Sequence, residues 1–209
     1  MNCLLCHTPA TLFVSDVFLC DHCGLLFKNP SIHYNSVQDF NRYATHQNNE
    51  LDQGYIEFLN KLLIPLAPFL PQQFSALDFG CGPGPTLSGL LSRMGGAVEN
   101  YDPLFFPADE LLNQKYEVVT SSEVVEHFKK PDEHWPALVA LVKPGGLLGI
   151  MTLLFGATID YKSWWYKNDP THVVFYQEKT IHYLADKFNL EILFNDHKSV
   201  VIFRKNLEG

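Results

Sequence analysis

The chain has 209 residues, of which 46% are hydrophobic and 18% charged, a balance that suits a folded core and excludes a disordered polymer. Lys and Arg number 15 against 23 Asp and Glu, giving a formal net charge of −8, so nucleic acid is not the expected partner. The start carries no basic segment with an apolar leader, and no run reaches the roughly 18 apolar residues of a membrane span. Cysteines arranged in short pairs suit a reducing compartment, so a cytoplasmic location without a membrane partner is expected.

Residues 1–30 read as a first unit. Cys3-x-x-Cys6 and Cys20-x-x-Cys23 stand thirteen residues apart. Each pair can present two sulfurs from one tight turn, with a small hairpin between, so that four thiolates close a tetrahedral shell around Zn²⁺. A redox pair or two disulfides are the competing readings, and His7 and His22 flank the cysteines as substitute ligands. Leu12, Phe13, Val14, Val17 and Phe18 offer little core, so a structural zinc would supply much of the folding energy here.

Residues 31–74 read as a linker followed by a helix. The stretch from Ser31 to Asn49 is polar and shows no helical period. Arg42, Tyr43 and His46 stand where it can fold over a ligand mouth, or are ordinary linker residues. Leu51, Tyr55, Phe58, Leu59 and Leu62 recur at three- and four-residue steps and predict a helix over 50–64, closed by Pro65, Pro68 and Pro71.

Residues 75–209 read as an α/β domain. A short apolar strand from Ser75 enters Gly80-Cys81-Gly82-Pro83-Gly84, and Leu87, Leu90, Leu91 and Met94 mark the helix after it. Strand, glycine turn and helix place a ligand against bare backbone and a helix start. A second strand, 97–101, delivers Asp102, whose carboxylate can accept from the hydroxyls of an adenosine ribose. Pro85 occupies the third glycine position of the dinucleotide pattern, which disfavours a nicotinamide cofactor.

A buried strand follows over 117–120. Trp135, Leu138, Leu141 and Val142 then mark a helix, and Pro144-Gly145-Gly146 turns into a strand over 147–152. The aromatic stretch from Leu153 to Thr171 is a lid or wall for an organic acceptor, or else a satellite core or dimer patch. A helix over 178–188 and an antiparallel strand pair, 190–194 with 199–204, complete the chain.

The run Leu77 to Leu91 with Asp102, the run Tyr116 to Phe128, and the run Leu141 to Thr152 together resemble three motifs of class I S-adenosylmethionine-dependent methyltransferases. The resemblance covers about residues 51–205, and with the two CxxC pairs the chain is similar to a small-molecule branch that carries an N-terminal zinc module. It implies a doubly wound Rossmann-like sheet preceded by a zinc ribbon-like module, with S-adenosylmethionine as cofactor. Gly80, Gly82 and Gly84 would bracket the methionine and ribose, Asp102 would hold the ribose, and Ser121, Ser122 and Glu123 would border the methionine end. Only thirteen residues separate Asp102 from Tyr116, so the family's third strand is expected to be missing, and Phe105 or Phe106 can cover the adenine instead.

On the acceptor side, Tyr43, His46, Trp164 and Trp165 are the expected substrate contacts, and His127 or His172 the possible base. Glu126 reads as surface charge or a cap. A small organic acceptor is the leading expectation. A protein or RNA methyltransferase docking through the zinc module, or a noncatalytic cofactor-binding protein, are the alternatives, and a homodimer is compatible with the aromatic stretch.

Overall fold

The structure, a computed structural model, describes residues 1–43 and 51–207; His46 lies outside the described residues. The first turns bring the cysteine pairs together around a hairpin of β1 (Thr11–Val14) and β2 (Val17–Leu19), and β3 (Leu26–Lys28) pairs antiparallel with β2. Helix α1 (Ser36–Tyr43) occupies part of the stretch expected to lack helix. It buries no residue, and its apolar Val37 and Phe40 stay exposed. Its start is set by a reciprocal cap: the Asn35 side chain accepts from the backbone N–H of Val37 and Gln38, and the Gln38 side chain accepts from the N–H of Asn35.

Helix α2 (Gln53–Leu66) starts at Asp52, whose carboxylate accepts from the N–H of Gly54 and Tyr55. It runs one residue past Pro65, because a proline in the last turn costs few helical hydrogen bonds beyond it. Then come β4 (Phe74–Phe79), α3 (Thr86–Arg93), β5 (Gly96–Tyr101), β6 (Tyr116–Ser122), α4 (Pro131–Ala140) and β7 (Val142–Met151). Between β5 and β6 the chain makes a single 3-10 turn, Asp109–Asn113, and no strand. Strand β7 begins five residues before the expected start, since Lys143 to Gly146 forms a bulge between the Tyr116–Val142 and Val118–Leu147 pairs instead of a separate turn. Val142 is therefore a strand residue and not part of the helix. The last elements are β8 (Val174–Phe175), α5 (Glu178–Lys187), β9 (Leu190–Asn195) and β10 (Val200–Lys205).

The main sheet has six strands in the order β5-β4-β6-β7-β10-β9. Its first four are parallel, and β10 runs antiparallel to both neighbours, giving the mixed Rossmann-like sheet of class I methyltransferases. Buried leucines of α2 and α3 pack on one face. On the other face Trp135 and Leu138 of α4 and Ile181 and Leu184 of α5 join one continuous core with Cys3, Leu5, Leu25 and Phe27. The order reverses at β4, so the ends of β4 and β6 open onto a crevice.

A second sheet, β1-β2-β3-β8, crosses the boundary drawn at residue 30, because β8 comes from the far end of the chain. Val17, Leu26, Tyr161, Trp164, Tyr166 and Phe175 form a satellite core beneath it. Trp164 is 6% exposed within that core, which gives it a packing role and removes it from the acceptor wall. Among the described residues no helix is long and apolar enough to cross a membrane.

Candidate active site

The crevice holds a cavity of about 570 Å³. One end is floored by the turn from β4 into α3. Gly80 and Gly82 have φ of 78° and 64°, in the region that disfavours residues with a Cβ. A Cβ on Gly80 would also stand 2.4 Å from Val124 Cγ2, so bare backbone is required where the turn meets the loop after β6. Gly80→Ala is expected to lower stability by about 1–3 kcal/mol and to weaken binding in the cavity. Thermal unfolding and calorimetry check this, and a variant with unaltered melting and affinity would contradict it.

Asp102, just after β5, accepts from Gly82 N–H at 3.1 Å through Oδ2, and from the N–H of Leu104 and Phe105 at 2.8 and 3.2 Å through Oδ1. These bonds fix the carboxylate and occupy three of its roughly four acceptor directions, leaving Oδ2 one direction for a ligand hydroxyl. Phe105 lines the cavity and stacks on Phe40 of α1 with centroids 6.0 Å apart, whereas Phe106 is not among the lining residues. Asp78, missed by the sequence reading, lies buried at the turn and accepts from Thr120 and Ser88; burial pushes its carboxyl up to about 7. Ser122 and Glu123 line the cavity. Ser121 does not, since its side chain is buried and its Oγ is unpaired among the described residues.

The other end gathers Tyr43, His127, Trp165, Tyr166, Asp169 and His172. Glu126 is fully buried beside them, not surface charge. The Tyr166 hydroxyl donates to Glu126 Oε1 at 2.7 Å and stands 3.2 Å from Glu123 Oε2, while Glu126 Oε2 has no partner among the described residues. Burial, reinforced by Glu126, pushes Glu123 up to about 9. Glu123 also holds φ of 53°, a left-handed backbone unusual for a non-glycine residue.

His127 Nδ1 lies 2.9 Å from the Thr171 carbonyl, and His172 Nδ1 lies 2.8 Å from the Tyr166 carbonyl. A carbonyl only accepts, so each Nδ1 carries a proton, and it is Nε2 that presents the lone pair when the ring is neutral. The two rings are 4.8 Å apart, and Tyr43 meets His127 edge-on at 5.2 Å. His172 is the more enclosed of the two, and burial draws it down to about 4. One ligand atom each from Glu126, His127 and His172 lies within 4.8 Å of the others, close enough to share a cation. Behind this wall Arg42 donates to Asp169 Oδ2 through Nε at 3.0 Å and Nη2 at 2.6 Å. Trp135 donates to the Tyr176 hydroxyl, which in turn donates to the Val125 carbonyl and braces the loop carrying Glu126 and His127.

At the N-terminus the four sulfurs of Cys3, Cys6, Cys20 and Cys23 lie within 4.8 Å of one another. Cys3 and Cys23 are 3.5 Å apart and Cys6 and Cys20 3.4 Å, too far for a disulfide and suited to a tetrahedral thiolate shell. His7 and His22 are not in the cluster. The Leu5 N–H points at Cys3 Sγ at 3.4 Å, as backbone donors do around metal-bound sulfur.

A family model described as a methyltransferase domain matches residues 43–194. The ubiquinone biosynthesis O-methyltransferase of Cereibacter sphaeroides is 33% identical over 137 residues, which are 52% of this chain and 54% of that protein. The chain thus spans about half the length of this curated relative. Among solved structures, phosphoethanolamine N-methyltransferase 2 of Haemonchus contortus, with S-adenosyl-L-methionine, superposes with a TM-score of 0.56 at 15% identity, covering 88% of this chain and 62% of that one. The 1,6-didemethyltoxoflavin-N1-methyltransferase of Burkholderia thailandensis, with S-adenosylhomocysteine, gives 0.52 at 12% identity, covering 81% and 85%. At these identities the likeness is one of fold.

Proposed function

The chain belongs to the methyltransferase-domain family, and from that membership we propose that it transfers a methyl group from S-adenosylmethionine to a small organic acceptor. The observation that carries the proposal is one cavity joining the glycine turn and Asp102 at one end to Tyr43, His127 and Trp165 at the other. The donor end fits the cofactor by its chemistry: bare backbone at Gly80 and Gly82, and a fixed carboxylate with an acceptor direction open to a ribose hydroxyl. When bound, the cofactor supplies a methyl group already activated on a sulfonium.

The protein's part is to align the acceptor and take up its proton. The relative named as an O-methyltransferase favours a hydroxyl acceptor here, and a hydroxyl must be deprotonated as the new bond forms. His127 is the base: its Nδ1–H is held by the Thr171 carbonyl, and its side chain is the more exposed of the two histidines. His172 and Tyr43 pack on its ring and limit its rotation, while Trp165 and Tyr43 serve as walls for the acceptor. The cysteine cluster is assigned a structural zinc, and the net charge of −8 disfavours RNA as the acceptor.

Labelled cofactor offered to metabolite, protein and RNA fractions tests the reading. Label is expected in the metabolite fraction, and label confined to RNA or protein would overturn the acceptor class. If His127→Ala and His172→Ala each shed a bound divalent ion together with turnover, the cluster is a cation site and not a base.

A further inference from the structure

We infer that Lys28, on the last strand of the cysteine module, is a positioning residue that sets the acceptor histidines through the loop carrying Tyr166 to His172. The inference rests on the acceptor-site reading above. Both histidines take their orientation from carbonyls of one segment, Tyr166 for His172 and Thr171 for His127. That segment has little regular structure beyond one short 3-10 turn, Trp165–Asn168, so something else must hold its carbonyls in place. Lys28 Nζ donates to the carbonyls of Lys167 at 3.1 Å and Asp169 at 3.0 Å, one from each half of the loop.

The backbone carries the same link inward. Lys28 N–H donates to the Val173 carbonyl at 2.8 Å, and Val173 N–H donates to the Glu126 carbonyl at 2.9 Å. Strand β3 thus ties the residue after His172 to the residue before His127. The Asp169 side chain holds the loop from the other side, accepting from the Thr171 N–H and hydroxyl and from Arg42. Lys28 is anchored in turn: its strand pairs with β2 between the two cysteine pairs, and its ammonium lies 5.8 Å from the Phe175 ring. The cysteine module lines no part of the cavity; on this account it supports the acceptor site from behind, through the loop.

Lys28→Met keeps the stem and removes the donors; Lys28→Arg restores donors for both carbonyls. The full chain, labelled with ¹⁵N and saturated with S-adenosylhomocysteine, reports the tautomer of each histidine ring by NMR. The wild type should show Nδ1–H at both His127 and His172. Lys28→Met should show mixed tautomers at one or both, with kcat lower by about 10- to 100-fold and affinity for S-adenosylhomocysteine unchanged. Lys28→Arg should recover the wild-type ring signals. Should Lys28→Met fail to fold, Lys28→Gln, which can serve only part of the pair, gives the same readout. A folded variant with wild-type ring signals overturns the inference. Because the rings are read without an acceptor, failure to find any methylated product would sink the acceptor reading alone.

Discussion

His127→Gln is expected to lower kcat on a hydroxyl acceptor by about 10²- to 10⁴-fold and to leave binding of S-adenosylhomocysteine unchanged. The separation follows from the geometry. His127 belongs to the acceptor end of the cavity, and its ring contacts are Tyr43 and His172, whereas the donor end is built from the glycine turn and Asp102. Glutamine can keep a donor toward the Thr171 carbonyl, so the loop stays in place while the basic nitrogen is lost. His172→Gln should act less severely on kcat, since that ring is the more enclosed of the two. Steady-state kinetics with calorimetry on the same preparations decide the matter, and full turnover by His127→Gln would remove it as the base.

Loss of the metal proposed at the cysteine cluster is expected to be the most damaging change to stability. Structural zinc in small modules carries apparent binding energies of about 10–16 kcal/mol, and the module here shares its core with α4 and α5. Cys20, fully buried in that cluster, is the sharpest place to test it. Cys20→Ser should lower Tm by about 10 °C or more, and the wild type should carry about one zinc per chain by elemental analysis. A wild type that is folded and free of zinc, with Cys20→Ser melting at the same temperature, would remove the metal from the account. Because β3 leads from this module to the acceptor loop, chelation should also impair methyl transfer before it impairs cofactor binding.

Features with a local signature were legible in the sequence. The glycine turn, Asp102 and the short β5–β6 connection could be read because a strand, a tight turn and a helix each leave a pattern of their own. The paired cysteines declared themselves by spacing. What escaped depended on distant partners. Helix α1 has no buried face, and its local signs were brief, the Asn35–Gln38 cap and the three-residue step from Val37 to Phe40; Asp39 with Lys129, and Arg42 with Asp169, tie it to remote segments. Trp164 and Trp165 are neighbours in the chain, yet one fills the satellite core at 6% exposed and the other lines the cavity at 67% exposed. Nothing in an irregular stretch fixes which of two adjacent indoles turns inward. Glu126 looked like surface charge because its partners, Tyr166 and His172, arrive from forty or more residues away. Lys28 was silent for the same reason, since the carbonyls it holds lie far along the chain.

The central claim is that the crevice at the ends of β4 and β6 is a methyl-donor site, and calorimetry on the wild type and Asp102→Ala tests it most directly. The wild type should bind S-adenosylhomocysteine at one site per chain and should not bind NAD in preference. Asp102→Ala should weaken that binding by about 10- to 100-fold, the loss of charge-assisted hydrogen bonds worth about 1.5–3 kcal/mol. Preferential NAD binding, or S-adenosylhomocysteine affinity indifferent to Asp102, would contradict it.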